Sequence, residues 1–505
     1  MCKKKFFNVL FILIMTNVTK NRKSPKSSME NKNMVCKQDK KSKIQAPIVE
    51  ALKKAYESPS FQFHIPGHTR GNGSLPEFRK LIGKKALSID TTDEFDGLGT
   101  LHPATGPIKE AQELAAQAFG AKKTFFLLNG STAGNLALGM ALTKKGKKII
   151  TNRNCHRSIL TGMIISGAEP VWLIPNRFEE WGIWGNVTPE SVEQMLEKTP
   201  DASMVWITNP TYEGVVSDVK SIANVCKKYN VPLIVDEAHA CLWNFNNHLP
   251  TSALKLGADA VVHSLHKTGG SMSQSSMLHI AENSSLDVDA VEKALKLLHT
   301  TSPSLMLLAS LDSARANLDS PRGRKQLERA VQNAKYLRRE IDKLEHIHDL
   351  KPDFGYKTDI TKVFIRDDRL SGKRLESILE IDFNIEVESA SDAGLLILSN
   401  IGNTRADMQY LVKCLQTIDK TDYTDICYLE KKKYMPMLTP IIKMTLREAY
   451  YSHKETILKE QAVGRISAEV IAECPPGIAV LLPGELITEE HIPYLVDYKT
   501  IEVIK

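Results

Sequence analysis

Along most of this chain, short continuous apolar runs alternate with amphipathic ones. Residues 46–58, "APIVEALKKAYES", space their apolar positions as a helix does. "IKEAQELAAQAFG" predicts an Ala-rich helix closed by Gly120, and "STAGNLALGMALTKKG" predicts another. "TFFLL", "KKIITN", "SMVWITNP", "VPLIVDEAH" and "ADAVVHSLHK" read as strands that end in polar residues. Strands that are apolar throughout, alternating with helices, predict an α/β fold around a mainly parallel, helix-covered sheet. "FHIPGHTRGNG" interrupts the pattern as a Gly/Pro loop.

Near residue 320 the pattern changes. "SPRGRKQLERAVQNAKYLRREIDKLE" predicts a long charged helix, and "KVFIR" and "GLLILSN" are strands of a smaller unit. A third segment ends in "ECPPGIAVLLPGELI". The expected organisation is a leader over 1–45, a large domain over 46–325, and smaller C-terminal α/β domains over 326–435 and 436–505. There is no internal repeat.

The composition is globular, 42% hydrophobic and 25% charged over 505 residues. The net charge of +7 misplaces the basicity. Residues 1–45 hold eleven Lys and one Arg against Glu30 and Asp39, which makes +10 and leaves −3 for the rest. A slightly acidic body lacks the electrostatic footprint of a nucleic-acid partner. In the leader, three lysines precede a mostly apolar run from Phe6 to Met15, and a basic, acid-poor stretch follows. That pattern predicts a signal or transit segment addressed to an organelle, of plastid type; a disordered tail on a cytoplasmic protein is the alternative. Beyond it no run approaches the length of a membrane span. The eight cysteines include no C-x-x-C pair, which argues against a zinc site or a disulfide framework, so no metal is expected.

Candidate chemistry gathers at the predicted strand ends, where parallel sheets bind ligands. In "TFFLLNGSTAGN" a strand runs into Gly130, Ser131 and Thr132 and then a helix, a place for an anion, though a plain Ser/Thr cap accounts for it too. Asp236 ends the strand of "VPLIVDEAHA", followed by Glu237 and His239. A nucleotide-hydrolysing reading of Asp-Glu-Ala-His needs a phosphate-loop Gly-Lys followed by Ser or Thr. Gly83-Lys84, Gly146-Lys147 and Gly372-Lys373 are followed by Lys, Lys and Arg, so that reading fails. Ser264, His266 and Lys267 follow the next apolar run, and His156 follows "KKIITN". A lysine set among small residues at a strand end can be desolvated into a nucleophilic amine. A phosphate cradle, a strand-end carboxylate and a strand-end lysine are together what pyridoxal 5'-phosphate requires.

These motifs resemble the Orn/Lys/Arg decarboxylase family of fold-type-I pyridoxal-phosphate enzymes, in its shorter branch without an N-terminal wing domain. The likeness runs from about residue 46 to the end through "FHIPGHTRG", "LNGSTAGN", "RNCHRS", "DEAHA", "HSLHKTGGSMSQSSMLH", "TSPSLMLLASLDSAR", "EQAVGRISAE" and "CPPGIAVLLPGE", in the family's order. The resemblance implies a fold-type-I, transferase-like large domain. It implies Lys267 as the Schiff-base lysine, Asp236 at the pyridine nitrogen and His156 against the ring. Gly130, Ser131, Thr132, Ser264 and His266 would surround the phosphate, with His239 near the ring. Gly99-Thr100, Ala104-Thr105-Gly106 and Cys474 depart from the family's usual residues, in loops that could face substrate.

The resemblance further implies decarboxylation of lysine, ornithine or arginine by a homodimer or larger homo-oligomer. Another pyridoxal-phosphate reaction, transamination or elimination, is the alternative on the same fold. A catalytically silent regulatory paralogue is a second, opposed by the presence of both Lys267 and Asp236. A cationic substrate tail calls for a carboxylate, and Glu94, Asp96, Glu388 and Glu485 are candidates by position.

Overall fold

The computed structural model describes residues 44–58, 61–93, 97–143, 147–351, 356–423, 438–473, 478–495 and 498–505. Most of the basic leader, 1–43, lies outside them.

The five predicted strands form within a set of seven: β1 (Ala121–Leu127), β2 (Lys148–Asn152), β3 (Glu169–Leu173), β4 (Ala202–Thr208), β5 (Leu233–Asp236), β6 (Ala260–His263) and β7 (Ser276–Ala281). They build one seven-stranded sheet in the order β1-β7-β6-β5-β4-β2-β3. β5 and β6 are buried at every position, because helices cover both faces. β3 and β7 were not read from the sequence. β7 is the one antiparallel member, paired to β1 and β6. The connection from His263 to Ser276 holds only the four-residue helix Leu265–Thr268, too little for a crossover back to a parallel edge.

Helices α1 (Pro47–Glu57), α2 (Gly106–Phe119), α3 (Gly130–Leu142) and α4 (Arg157–Ser166) pack around this sheet. α2 ends where Gly120 takes the left-handed conformation, φ 72°, and its N–H reaches back to Ala116 and Gln117. α3 and α4 approach closely, since a Cβ on Gly139 would lie 3.1 Å from the backbone of Gly162. That approach fixes α3 over the strand ends.

The long charged helix, α5 (Pro321–Ile341), forms as predicted. It leads to a four-stranded antiparallel sheet of β8 (Ile347–Asp349), β9 (Lys362–Asp367), β10 (Ser389–Ala390) and β11 (Leu395–Leu398) in the order β8-β9-β11-β10. The segment before β9 is tied to the segments after β4 and β5. Val216 N–H donates to Lys357 O, Asp359 N–H donates to Gly214 O, and Trp243 Nε1–H donates to Asp359 Oδ2 at 2.8 Å. The small sheet therefore begins beside the carboxyl ends of the large one.

The C-terminal segment pairs Lys454–Leu458 with Thr500–Ile504 and closes over Ile471, Leu481, Ile487 and Leu495. Arg153, 2% exposed after β2, anchors it by two bonds to the Glu485 carboxylate at 2.6 and 2.8 Å. Cys155, Cys226, Cys241 and Cys414 are buried free thiols. Among the described residues no helix is long and apolar enough to cross a membrane.

Candidate active site

β5 carries Asp236 to the carboxyl edge of the sheet, where it is only 3% exposed. A buried carboxylate must be hydrogen-bonded. Its Oδ1 accepts from Ala238 N–H at 3.1 Å and its Oδ2 from the Asn135 amide at 3.0 Å. The same amide nitrogen donates to Ser158 Oγ at 2.8 Å. Ser158 Oγ lies 2.7 Å from His156 Nδ1, and the Ser158 backbone N–H donates to that nitrogen at 3.2 Å. His156 thereby caps α4, with Nδ1 as acceptor. Burial holds its pKa below the ordinary histidine value, against the pull of Asp236. A single chain of bonds thus joins Asp236, Asn135, Ser158 and His156. Asn135 was missed in the sequence, although a lone amide among the small and apolar residues of α3 was the available signal.

Glu237 does not join the site. Successive strand residues face opposite ways, and Glu237 accepts from Ser252 Oγ at 2.9 Å, from Ala253 N–H at 2.7 Å and from His263 Nε2 at 3.0 Å. The Asp-Glu-Ala-His run is split between a cleft carboxylate and a structural one.

The N-terminus of α3 supplies Gly130, Ser131 and Thr132. Gly130 takes φ 64°, and its N–H donates to Gln274 O at 2.7 Å. Ser131 Oγ is 2.7 Å from Ser264 Oγ. His266 Nδ1 donates to Ser275 O at 2.8 Å, which places a proton on that nitrogen. Lys267 stands in the helix Leu265–Thr268, with Nζ 2.8 Å from His239 Nε2. Burial lowers the Lys267 pKa, while Asp236 and Glu388 act to raise it.

All of the sequence-predicted site residues, Gly130, Ser131, Thr132, His156, Asp236, His239, Ser264, His266 and Lys267, line one cavity of about 410 Å³. Thr208, the last residue of β4, and Tyr212 and Glu213, from the loop after it, line it too and were not anticipated. They lie in or just after "SMVWITNP", so the strand-end rule pointed at them. Lys362, 2% exposed at the start of β9, approaches His239 from the small sheet, behind the cavity lining. Its Nζ donates to Tyr212 O at 2.7 Å and lies 3.2 Å from His239 Nδ1.

Of the carboxylates considered for a cationic substrate, Glu94 and Asp96 lie outside the described residues. Glu485 is corrected: its charge is spent on Arg153. Glu388 stays exposed and accepts from Tyr212 O–H at 2.6 Å. Among the described residues no group of His, Cys, Asp and Glu could hold a metal ion.

Residues 46–369 match the major domain of the Orn/Lys/Arg decarboxylases, and 428–502 match their C-terminal domain. The chain belongs to the Orn/Lys/Arg decarboxylase family. It is 39% identical over 462 residues to an arginine decarboxylase of Bacillus subtilis, covering 90% of this chain and 94% of that one. It is 26% identical to the constitutive lysine decarboxylase of Escherichia coli, covering 88% and 76%. The crystal structure of the Francisella novicida lysine decarboxylase superposes with a TM-score of 0.79 at 22% identity, over 92% of this chain and 81% of that one. The fold is therefore that of fold-type-I enzymes, and the cofactor is pyridoxal 5'-phosphate. The cavity suits it. The helix N-terminus and its hydroxyls can take a phosphate, Asp236 offers a fixed carboxylate, and Lys267 offers a desolvated amine. Thr208 Oγ1, a buried hydroxyl of a cavity-lining residue, has no hydrogen-bond partner among the described residues.

Asn135→Leu should destabilise the protein by about 1–3 kcal/mol, because it strips a donor from a buried carboxylate. Ser158→Ala leaves the Asn135–Asp236 bond in place and should cost less. Urea unfolding of the two variants beside wild type checks the order; equal midpoints would show that the Asp236 carboxylate does not depend on Asn135.

Proposed function

We propose that this protein decarboxylates a basic amino acid, releasing carbon dioxide and the corresponding amine. The observation that carries the reading is the convergence of Lys267, Asp236 and the α3 N-terminus on one cavity. Bound there, the cofactor supplies an electron sink for the carbon–carbon bond that breaks. Ser131, Thr132 and Ser264, with the α3 N-terminus, hold the phosphate. Asp236 keeps the pyridine nitrogen protonated by a charge-assisted hydrogen bond. His156, with Nδ1 engaged by Ser158, presents a neutral ring to the cofactor. Lys267 attaches the cofactor and returns a proton to the carbon that has lost carbon dioxide.

Glu388, exposed and braced by Tyr212, receives the cationic end of the substrate side chain. We also infer a homodimer. Phe61 and Phe63 are 95% and 96% exposed, and Leu75 and Leu81 are exposed nearby. An apolar surface of that kind marks an interface, and these residues stand apart from the lining of this chain's own cavity.

Purified protein with pyridoxal 5'-phosphate should release carbon dioxide and an amine from lysine, ornithine or arginine. A keto acid instead would identify a transaminase, and no product from any of them would favour the regulatory paralogue. Glu388→Gln should raise KM for the basic substrate roughly tenfold or more, with a smaller effect on kcat; an unchanged KM would place the cation elsewhere. Sedimentation velocity should show a dimer that Phe61→Asp with Phe63→Asp dissociates. A monomeric, active wild type would contradict the dimer.

A further inference from the structure

His239 stands between two amines. Its Nε2 is 2.8 Å from Lys267 Nζ and its Nδ1 is 3.2 Å from Lys362 Nζ. A neutral imidazole has one N–H and one lone pair, whereas an ammonium can only donate. Two ammonium groups cannot both be satisfied by one such ring, so one amine has to accept.

The surroundings decide which. Lys362 Nζ also donates to the Tyr212 carbonyl at 2.7 Å and lies 5.4 Å from the Tyr212 ring centroid. Burial disfavours its charged form and the Lys267 amine opposes it too, while Asp359, Glu388 and Glu213 favour it. With Lys362 as a cation donating to Nδ1, the ring proton sits on Nε2, and the only role left to Lys267 is to accept it. We propose that Lys362 is a positioning residue: its ammonium locks His239 as the Nε2–H tautomer, which in turn holds Lys267 as an uncharged amine ready to attack the cofactor's carbonyl. The inference rests on Lys267 being the cofactor-bearing lysine.

Burial and the neighbouring amines hold the His239 pKa well below the ordinary histidine value, so the ring is neutral. Burial lowers the Lys362 pKa to about 8, which leaves it largely charged at neutral pH; the lock fades as pH rises through that value. Lys267 is lowered by burial, with Asp236 and Glu388 acting against the shift. The nearby imidazoles of His156 and His266 are also lowered by burial and stay uncharged at neutral pH. An amine must be uncharged to be a nucleophile, so the lock sets the pH range over which cofactor is captured.

The test follows lysine titration in cofactor-free protein labelled at the lysine ε-carbon, by carbon NMR, with signals assigned by their loss in Lys267→Arg and in Lys362→Met. In wild type, Lys267 should lose its proton at lower pH than Lys362. In Lys362→Met the Lys267 midpoint should rise by about one pH unit, a tenfold smaller neutral fraction at a fixed lower pH. The rate at which visible absorbance grows on adding pyridoxal 5'-phosphate should shift along the pH axis by the same amount. Lys362→Arg, which keeps a cation, should restore most of the shift. A merely structural Lys362 would lower the capture rate at every pH and leave the midpoint in place, and that result would overturn the proposal. So would a wild type in which Lys267 titrates above Lys362, a comparison that stands even if Lys362→Met does not fold. If cofactor attached to a different lysine, absorbance would still grow in Lys267→Arg. That outcome is distinct from an unshifted Lys267 titration.

Discussion

A carboxylate cannot sit almost fully buried at the end of an apolar strand without donors. Asp236 is in that position, and the site is arranged around satisfying it. Asn135 must reach its Oδ2, which fixes the rotation of α3. With α3 so placed, Ser131 meets Ser264 and the helix N-terminus opens onto the strand ends. The same Asn135 amide orients Ser158, which orients His156. The close approach of α3 and α4 at Gly139 and Gly162 makes these bonds possible. A packing constraint between two helices thus becomes the geometry of a cofactor site.

The amines obey the complementary rule. Burial disfavours the charged form of a lysine, and both Lys267 and Lys362 are depressed for that reason. Asp359, Glu388 and Glu213 limit the Lys362 shift, so it keeps most of its charge at neutral pH. The small sheet takes part in the site: β9 brings an amine to the far side of His239. The loop after β4, bound to 357–359, keeps the two sheets in that relation.

Much of this was legible in the sequence. Continuous apolar strands ending in polar residues gave the α/β sheet and the line of candidates from Gly130 to Lys267, since a parallel sheet gathers its strand ends. Contacts between distant segments left no periodic trace. Lys362 reads locally as the first residue of "KVFIR", and its approach to His239 spans |i−j|=123. Glu485 follows Pro and Gly and looks exposed, yet Arg153 lies |i−j|=332 away in sequence and pairs with it. Asn135 was hidden by the small residues that let α3 pack. The reversed strand β7 was missed because direction depends on the length of the connection, not on apolar pattern. The family resemblance gave roles to residues already singled out, and could not by itself show which carboxylates remain free.

The account stands on Lys267 being the amine that carries the cofactor, with Lys362 a second buried amine on the other side of His239. Borohydride reduction of the holoenzyme, proteolysis and mass spectrometry identify that amine directly. The structure predicts one pyridoxyl group, on the peptide containing Lys267. A pyridoxyl group on Lys362 or any other lysine, or none in active protein, would contradict it.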